Sequence, residues 1–166
     1  HFINGKILDY RNKSTPSIIT NPALGTPVGE VYFAEAGLIA EAIAAAKSAY
    51  ATWSVLPVVK RARILFKFKQ LLEENLQNLA EIITVEHGKT LDDAKGEMLR
   101  GIEVVEFACG IAYLLKGAYT ENVGTQVDSY SVRYPLGICV GFTPFNFPAM
   151  VPLWMFPLAI ACGNCF

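Results

Sequence analysis

No charged side chain occurs between Tyr134 and Phe166, whereas all 14 basic and all 15 acidic residues lie between Lys6 and Arg133. A stretch this long could span a bilayer, but Pro135, Pro144, Pro148, Pro152 and Pro157 interrupt it. Each proline frees backbone groups that lipid cannot satisfy. The stretch therefore reads as protein interior rather than a membrane span. An apolar surface of that size is rarely left open, so the sequence is expected to be the N-terminal part of something longer. A net charge of −1 supplies no field for phosphate backbones. An apolar fraction of 52% excludes a disordered tail.

Asn4-Gly5 between Phe2-Ile3 and Lys6-Ile7 predicts a β-hairpin. Strands are expected at 17–20 and 28–34, separated by the turn residues Asn21-Pro22-Ala23-Leu24-Gly25. From Gly37 the period becomes helical, with Leu38, Ile39, Ala42, Ile43, Ala46, Ala49 and Trp53 recurring on one side until Pro57. That Ala-rich helix is expected to pack closely. Ile64, Leu65, Phe68, Leu71 and Leu72 form the next stripe, beside Lys60, Arg61, Arg63, Lys67 and Lys69, which read as a solvated face. The pattern continues through Leu76, Leu79, Ala80 and Ile83 to a C-cap at Gly88, where His87 is a cap or surface residue. Thr90 or Asp92 can cap a further helix running to about Gly117. Its two apolar lines, one through Met98, Ile102, Val105 and Cys109, the other through Val104, Phe107, Ile111 and Leu114, predict a helix sandwiched between layers. Arg100 lies on the second line, within reach of Glu97 and Glu103 for an ordinary helical ion pair.

A polar linker then leads to an alternating strand at 127–134, suited to a sheet edge or subunit contact. After Pro135-Leu136-Gly137, residues 138–142 read as a continuous apolar strand of a parallel sheet. Thr143-Pro144-Phe145-Asn146-Phe147-Pro148 turns into a helix at 149–160, with Pro148 in its first turn. Asn146 is then either its N-cap or an amide donor placed at the carboxyl end of the sheet, where such folds bind ligands. Cys109, Cys139, Cys162 and Cys165 read as reduced packing residues. Cys162-Gly163-Asn164-Cys165 has no second ligand pair, so no metal is expected.

Pro144-Phe145-Asn146-Phe147-Pro148 resembles the Pro-aromatic-Asn-Phe-Pro motif of the aldehyde dehydrogenase superfamily. Residues 149–157, Glu86-His87-Gly88-Lys89-Thr90-Leu91 and Gly96-Glu97-Met98-Leu99-Arg100-Gly101 are similar to its CoA-acylating methylmalonate-semialdehyde dehydrogenase branch. Phe145 stands where the wider family has Trp, and Cys165 where the branch is expected to have Thr.

The resemblance implies an α/β, aldehyde dehydrogenase-like fold. Residues 1–117 would be the N-terminal part of a Rossmann-type cofactor domain, 118–136 an oligomerisation strand segment, and 137–166 the start of the dinucleotide-binding core. It implies that the Asn146 amide serves an oxyanion hole for a thiohemiacetal. Thr143, Pro144 and Phe145 would lie along the nicotinamide end of NAD. Phe147, Met150 and Trp154 would line the aldehyde tunnel, and Arg100 would bind the substrate carboxylate. The implied reaction converts a malonate or methylmalonate semialdehyde, with NAD and coenzyme A as co-substrates, to acetyl-CoA or propionyl-CoA, CO₂ and NADH. The nucleophilic cysteine and the remaining cofactor residues would lie beyond Phe166. A homodimer or homotetramer is implied, cytoplasmic in a bacterium and in the mitochondrial matrix of a eukaryote. Two alternatives stand beside it: a CoA-independent aldehyde dehydrogenase, and an inert folding or interaction module.

Overall fold

The structure, a computed structural model, describes every residue except Tyr10, Asn12 and Lys13. It divides into two compact units, His1–Ser48 and Ala49–Phe166.

In the first unit, strands β1 (Phe2–Ile3) and β2 (Lys6–Ile7) pair antiparallel. Asn4 and Gly5 both take positive φ, 52° and 72°, as this two-residue turn requires. Strands β3 (Ser17–Asn21) and β4 (Thr26–Val31) form a second hairpin. Its turn is built by the Asn21 side-chain oxygen, which accepts from the amides of Ala23 at 2.9 Å and Leu24 at 3.3 Å. The strand expected at 28–34 thus begins earlier and stops at Val31. Helix α1 spans Ala36–Trp53, but only Leu38 along it is buried, so the expected close packing is not realised.

The second unit is organised around one helix. Helices α2 (Val58–Glu74), α3 (Leu76–His87) and α6 (Met150–Ala161) all pack on α4 (Leu91–Cys109). Asn75 splits α2 from α3, which the sequence reads as one run, because its side-chain amide donates to the Leu71 carbonyl at 2.8 Å and closes the first helix. Gly88, at φ 85°, ends α3, and the Thr90 hydroxyl caps α4 by accepting from the Asp93 amide at 3.2 Å. Leu72, Ala80, Ile83, Met98, Ile102, Val105 and Leu153 join in one core, and Leu65, Ala108, Cys109, Ile111 and Ala161 in another.

Several expectations change here. The helix drawn to Gly117 ends at Cys109, and a separate short α5 (Ile111–Leu114) follows Gly110. Of the second apolar line, which runs from α4 into α5, Ile111 is buried but Phe107 and Leu114 remain exposed, so that side is covered only in part. Arg61 is not on a solvated face. It is buried, with Nε donating to the Ala161 carbonyl at 3.0 Å and a terminal nitrogen to the Leu56 carbonyl. The linker before 127 is itself strand β5 (Tyr119–Gly124), paired with β6 (Val127–Tyr130), so the expected strand at 127–134 stops four residues short. Asp128 braces that hairpin, accepting from the Tyr119 hydroxyl at 2.5 Å and the Asn122 amide at 2.9 Å.

Residues 138–142 do not form the expected strand. Ile138 makes a single parallel bridge to Cys165, because a central parallel strand needs neighbours on both sides and these residues have one. All named sheets among the described residues are two-stranded and antiparallel. No helix among them is long and apolar enough to cross a membrane.

Helices α4 and α6 approach closely at Gly101, where an added Cβ would lie 2.6 Å from Leu153 Cδ1 and 3.2 Å from its Cβ. Gly96, on the same helix, has nothing within 4 Å of that position. Gly101→Val should destabilise the protein by roughly 1–3 kcal/mol through overpacking. Gly96→Ala should instead stabilise it by up to about 1 kcal/mol, the helix-propensity difference. Denaturant unfolding of the two variants checks the opposite signs.

Candidate functional site

Helix α6 carries no charge and begins without a side-chain cap of its own; its N-cap is Ala149. The first amides of a helix have no intrahelical partner and must find one elsewhere. Here α4 supplies it. Glu97 Oε1 accepts from the Ala149 amide at 2.8 Å and from the Met150 amide at 3.1 Å. The asparagine expected as N-cap is not used in this way. Asn146 is exposed, and its backbone carbonyl is the group that is held.

Glu97 is fully buried, so its charge needs compensation. Lys89, in the loop between α3 and α4, provides it: its ammonium donates to Glu97 Oε2 at 2.6 Å. The same ammonium donates to the Asn146 carbonyl at 3.0 Å and stands 4.5 Å from the centre of the Phe147 ring. Burial alone would raise the Glu97 pKa, but Lys89 and the two amides outweigh it and hold the carboxyl below its ordinary 4.5. The carboxylate therefore sits at the positive end of the α6 dipole in its charged form. Sequence reasoning missed both residues. The available signal was an acid within the apolar line of α4, one place before Met98 and four before Gly101.

Arg100 lies one turn further along α4. It makes neither of the helical ion pairs expected of it, because Glu97 is fully engaged with Lys89 and the α6 amides. Its Nε donates to the Gly96 carbonyl at 3.1 Å, and its guanidinium carbon stands 5.4 Å from the Phe147 ring centre. Among the described residues no carboxylate ion-pairs with it. Trp154 reaches back from α6, its indole N–H directed at the Arg100 carbonyl at 3.4 Å. The structure thus brings Asn146, Phe147, Arg100 and Trp154 to one end of the α4–α6 pair. Met150, the first residue of α6, is buried, 4% exposed. Thr143, Pro144 and Phe145 lie on the outside of the turn, with Phe145 93% exposed.

The far end of α6 is also held by other elements. Besides Arg61, the Trp53 indole donates to the Ile160 carbonyl at 3.0 Å. The Asn164 side chain accepts from the Gly137 amide at 2.9 Å. The thiols of Cys109, Cys162 and Cys165 are pushed up by burial, which disfavours thiolate. Among the described residues no cluster of three or more His, Cys, Asp or Glu could hold a metal ion.

The model of the aldehyde dehydrogenase family matches residues 10–166. The chain belongs to that family. It is 49% identical over its whole length to a malonate-semialdehyde dehydrogenase of Pseudomonas aeruginosa, covering 33% of that protein. It is 46% identical over its whole length to an acylating, mitochondrial methylmalonate-semialdehyde dehydrogenase of Arabidopsis thaliana, covering 27% of it. A methylmalonate-semialdehyde dehydrogenase structure from Oceanimonas doudoroffii superposes at TM-score 0.94 and 47% identity over 99% of this chain and 33% of the other. The chain thus spans about a third of the length of the curated relatives it matches. Its fold is that of the N-terminal third of an aldehyde dehydrogenase, built from mixed helices and short strands.

Lys89→Met leaves Glu97 buried without its counter-ion and should cost roughly 3–5 kcal/mol. Adding Glu97→Gln should recover most of that loss, since neither charge then remains. A carboxyl whose folded pKa lies below its unfolded one stabilises the fold above the unfolded value and ceases to as pH falls through the folded value. The wild type should therefore lose stability on acidification below about pH 4.5, and the double variant should lose less. Denaturant melts from pH 7 to pH 3 check both statements.

Proposed function

We propose that this chain is part of an NAD-dependent, CoA-acylating dehydrogenase of malonate or methylmalonate semialdehyde. The observation that carries the reading is Arg100, a cation over the Phe147 ring with no protein carboxylate paired to it among the described residues. A semialdehyde bearing a carboxylate supplies the missing anion, and a guanidinium binds it with two parallel hydrogen bonds. The Nε–H is already taken by Gly96, so the two terminal nitrogens do the binding.

Asn146 takes the oxyanion role: its amide donates to the oxygen that becomes negative when a thiolate attacks the aldehyde. Its side chain is free to do so because the backbone, not the amide, anchors the turn. Phe147 and Trp154 bound the aldehyde path with apolar surface, and Met150 supports it from below. In this reading Thr143, Pro144 and Phe145 take the nicotinamide end of NAD, and their exposure leaves an open face for a flat aromatic ring to lie against. NAD supplies the hydride acceptor, and coenzyme A takes the acyl group. A solved relative from Sinorhizobium meliloti, a putative methylmalonate-semialdehyde dehydrogenase complexed with NAD, matches at TM-score 0.92 and 48% identity over 98% of this chain and 33% of its own length, which supports that assignment. The β5–β6 hairpin, exposed along both strands, suits a strand contact between copies in a homodimer or homotetramer. The compartment is the cytoplasm in a bacterium and the mitochondrial matrix in a eukaryote.

The test uses the full-length protein with Arg100→Leu. Arg100 is exposed in the structure, so the pair it forms is shielded from water only by the bound substrate. The variant's kcat/KM for the semialdehyde should fall by an amount equivalent to roughly 2–4 kcal/mol, as for loss of one partner of a charge pair at a binding site. Turnover of propanal should be unchanged or improved. Parallel changes for the two aldehydes would remove Arg100 from the substrate site.

A further inference from the structure

Three side chains outside the turn at 146–147 lie close to it, and two of them, the fully buried Glu97 and the half-buried Lys89, form an ion pair. A buried pair often contributes no more than an apolar replacement would. Glu97 and Lys89 do something an apolar pair could not. Glu97 fixes the amides of Ala149 and Met150, and Lys89 fixes the carbonyl of Asn146, at 2.8, 3.1 and 3.0 Å. The turn carrying Asn146 and Phe147 is thus pinned on both sides by one buried charge pair. The third side chain, Arg100, meets the turn through the Phe147 ring; its Nε is spent on the Gly96 carbonyl of its own helix and holds none of the turn's backbone.

We infer that Lys89 and Glu97 are positioning residues for catalysis: together they set the place of the Asn146 amide by gripping the backbone at 146 and at 149–150. The proposal rests on the oxyanion role of Asn146 given above. An exposed turn without this grip would let the amide wander, and a donor displaced by about 1 Å can cost 10²-fold in rate. Apart from the Lys89–Phe147 ring contact, both residues act on the backbone at 146 and at 149–150, so the proposal requires their effect to pass through Asn146. That requirement gives the proposal its test.

Three variants of the full-length enzyme are compared: Asn146→Ala, the pair Lys89→Met with Glu97→Gln, and all three substitutions together. The pair removes both charges and so leaves none buried and uncompensated. The readouts are the rate of the first NADH burst with semialdehyde and the affinity for NAD measured by fluorescence. Asn146→Ala should slow the burst by about 10²–10³-fold. The pair should slow it by about 10–100-fold, with NAD affinity changed less than about twofold. The triple variant should be no more than about twofold slower than Asn146→Ala alone, because residues acting through one group are not additive. If the pair fails to fold, Lys89→Arg takes its place in the same cycle. It keeps a cation beside Glu97 but changes the donor geometry at Asn146, and should slow the burst non-additively with Asn146→Ala. A wild-type burst rate in the pair, or full multiplication of the two losses in the triple variant, overturns the positioning role while leaving Asn146 in place. A wild-type burst rate in Asn146→Ala overturns the oxyanion reading and the proposal with it.

Discussion

A carboxylate at the start of a helix that has no cap of its own is the contact on which the second unit depends. Helix α6 is apolar throughout, yet its first amides and last carbonyls lie among buried residues and cannot be left unpaired. Charges of the correct sign arrive from its neighbours. Glu97 of α4 meets the positive end, and Arg61 of α2 meets the negative end, where Trp53 adds a neutral donor. Burial lowers the Arg61 pKa, which shows the cost of placing it there, while its hydrogen bonds to carbonyls offset that cost. The charge-free helix α6 can therefore pack on α4 with its first amides held by another element, while Asn164 donates to the Ala159 carbonyl at its far end.

That arrangement joins packing to the proposed chemistry. Gly101 lets α6 approach α4 closely enough for Glu97, one turn earlier, to reach the amides at 149 and 150. Lys89 enters from the loop that Gly88 opens with its left-handed backbone, and so links the cap of α6 to the turn before it. The turn itself remains exposed, with its side chains free for ligands and its backbone held from beneath. Rigid support under an accessible loop is what a site with one oriented donor requires.

Local chemistry was legible in the sequence wherever it is decided within a few residues. The Asn4-Gly5 hairpin, the Asn21 turn, the Gly88 end of α3, the Thr90 cap and the core line through Met98, Ile102 and Val105 follow from spacing and residue type alone. Features decided by distant partners were not legible. Asn146 looks like a cap until α4 delivers Glu97 to the same amides, and Arg61 looks like a surface charge until the last carbonyls of α6 are brought to it. The apolar run at 138–142 has strand chemistry, but pairing depends on neighbours, and among the described residues its one backbone bridge is from Ile138 to Cys165. The motif around Asn146 pointed to the candidate site through family resemblance, whereas the two residues that hold its backbone lay unassigned in the quoted stretches at 86–91 and 96–101.

The central claim is that the Glu97 carboxylate, rather than the helix or its solvent, holds the start of α6. Amide hydrogen exchange over the segment 146–151, compared between the wild type and Glu97→Ala at neutral pH, tests it most directly. The account predicts that exchange at Ala149 and Met150 accelerates strongly in the variant while the amides of α4 around Ile102 and Val105 keep their protection. Equal protection of Ala149 and Met150 in the two proteins would contradict it.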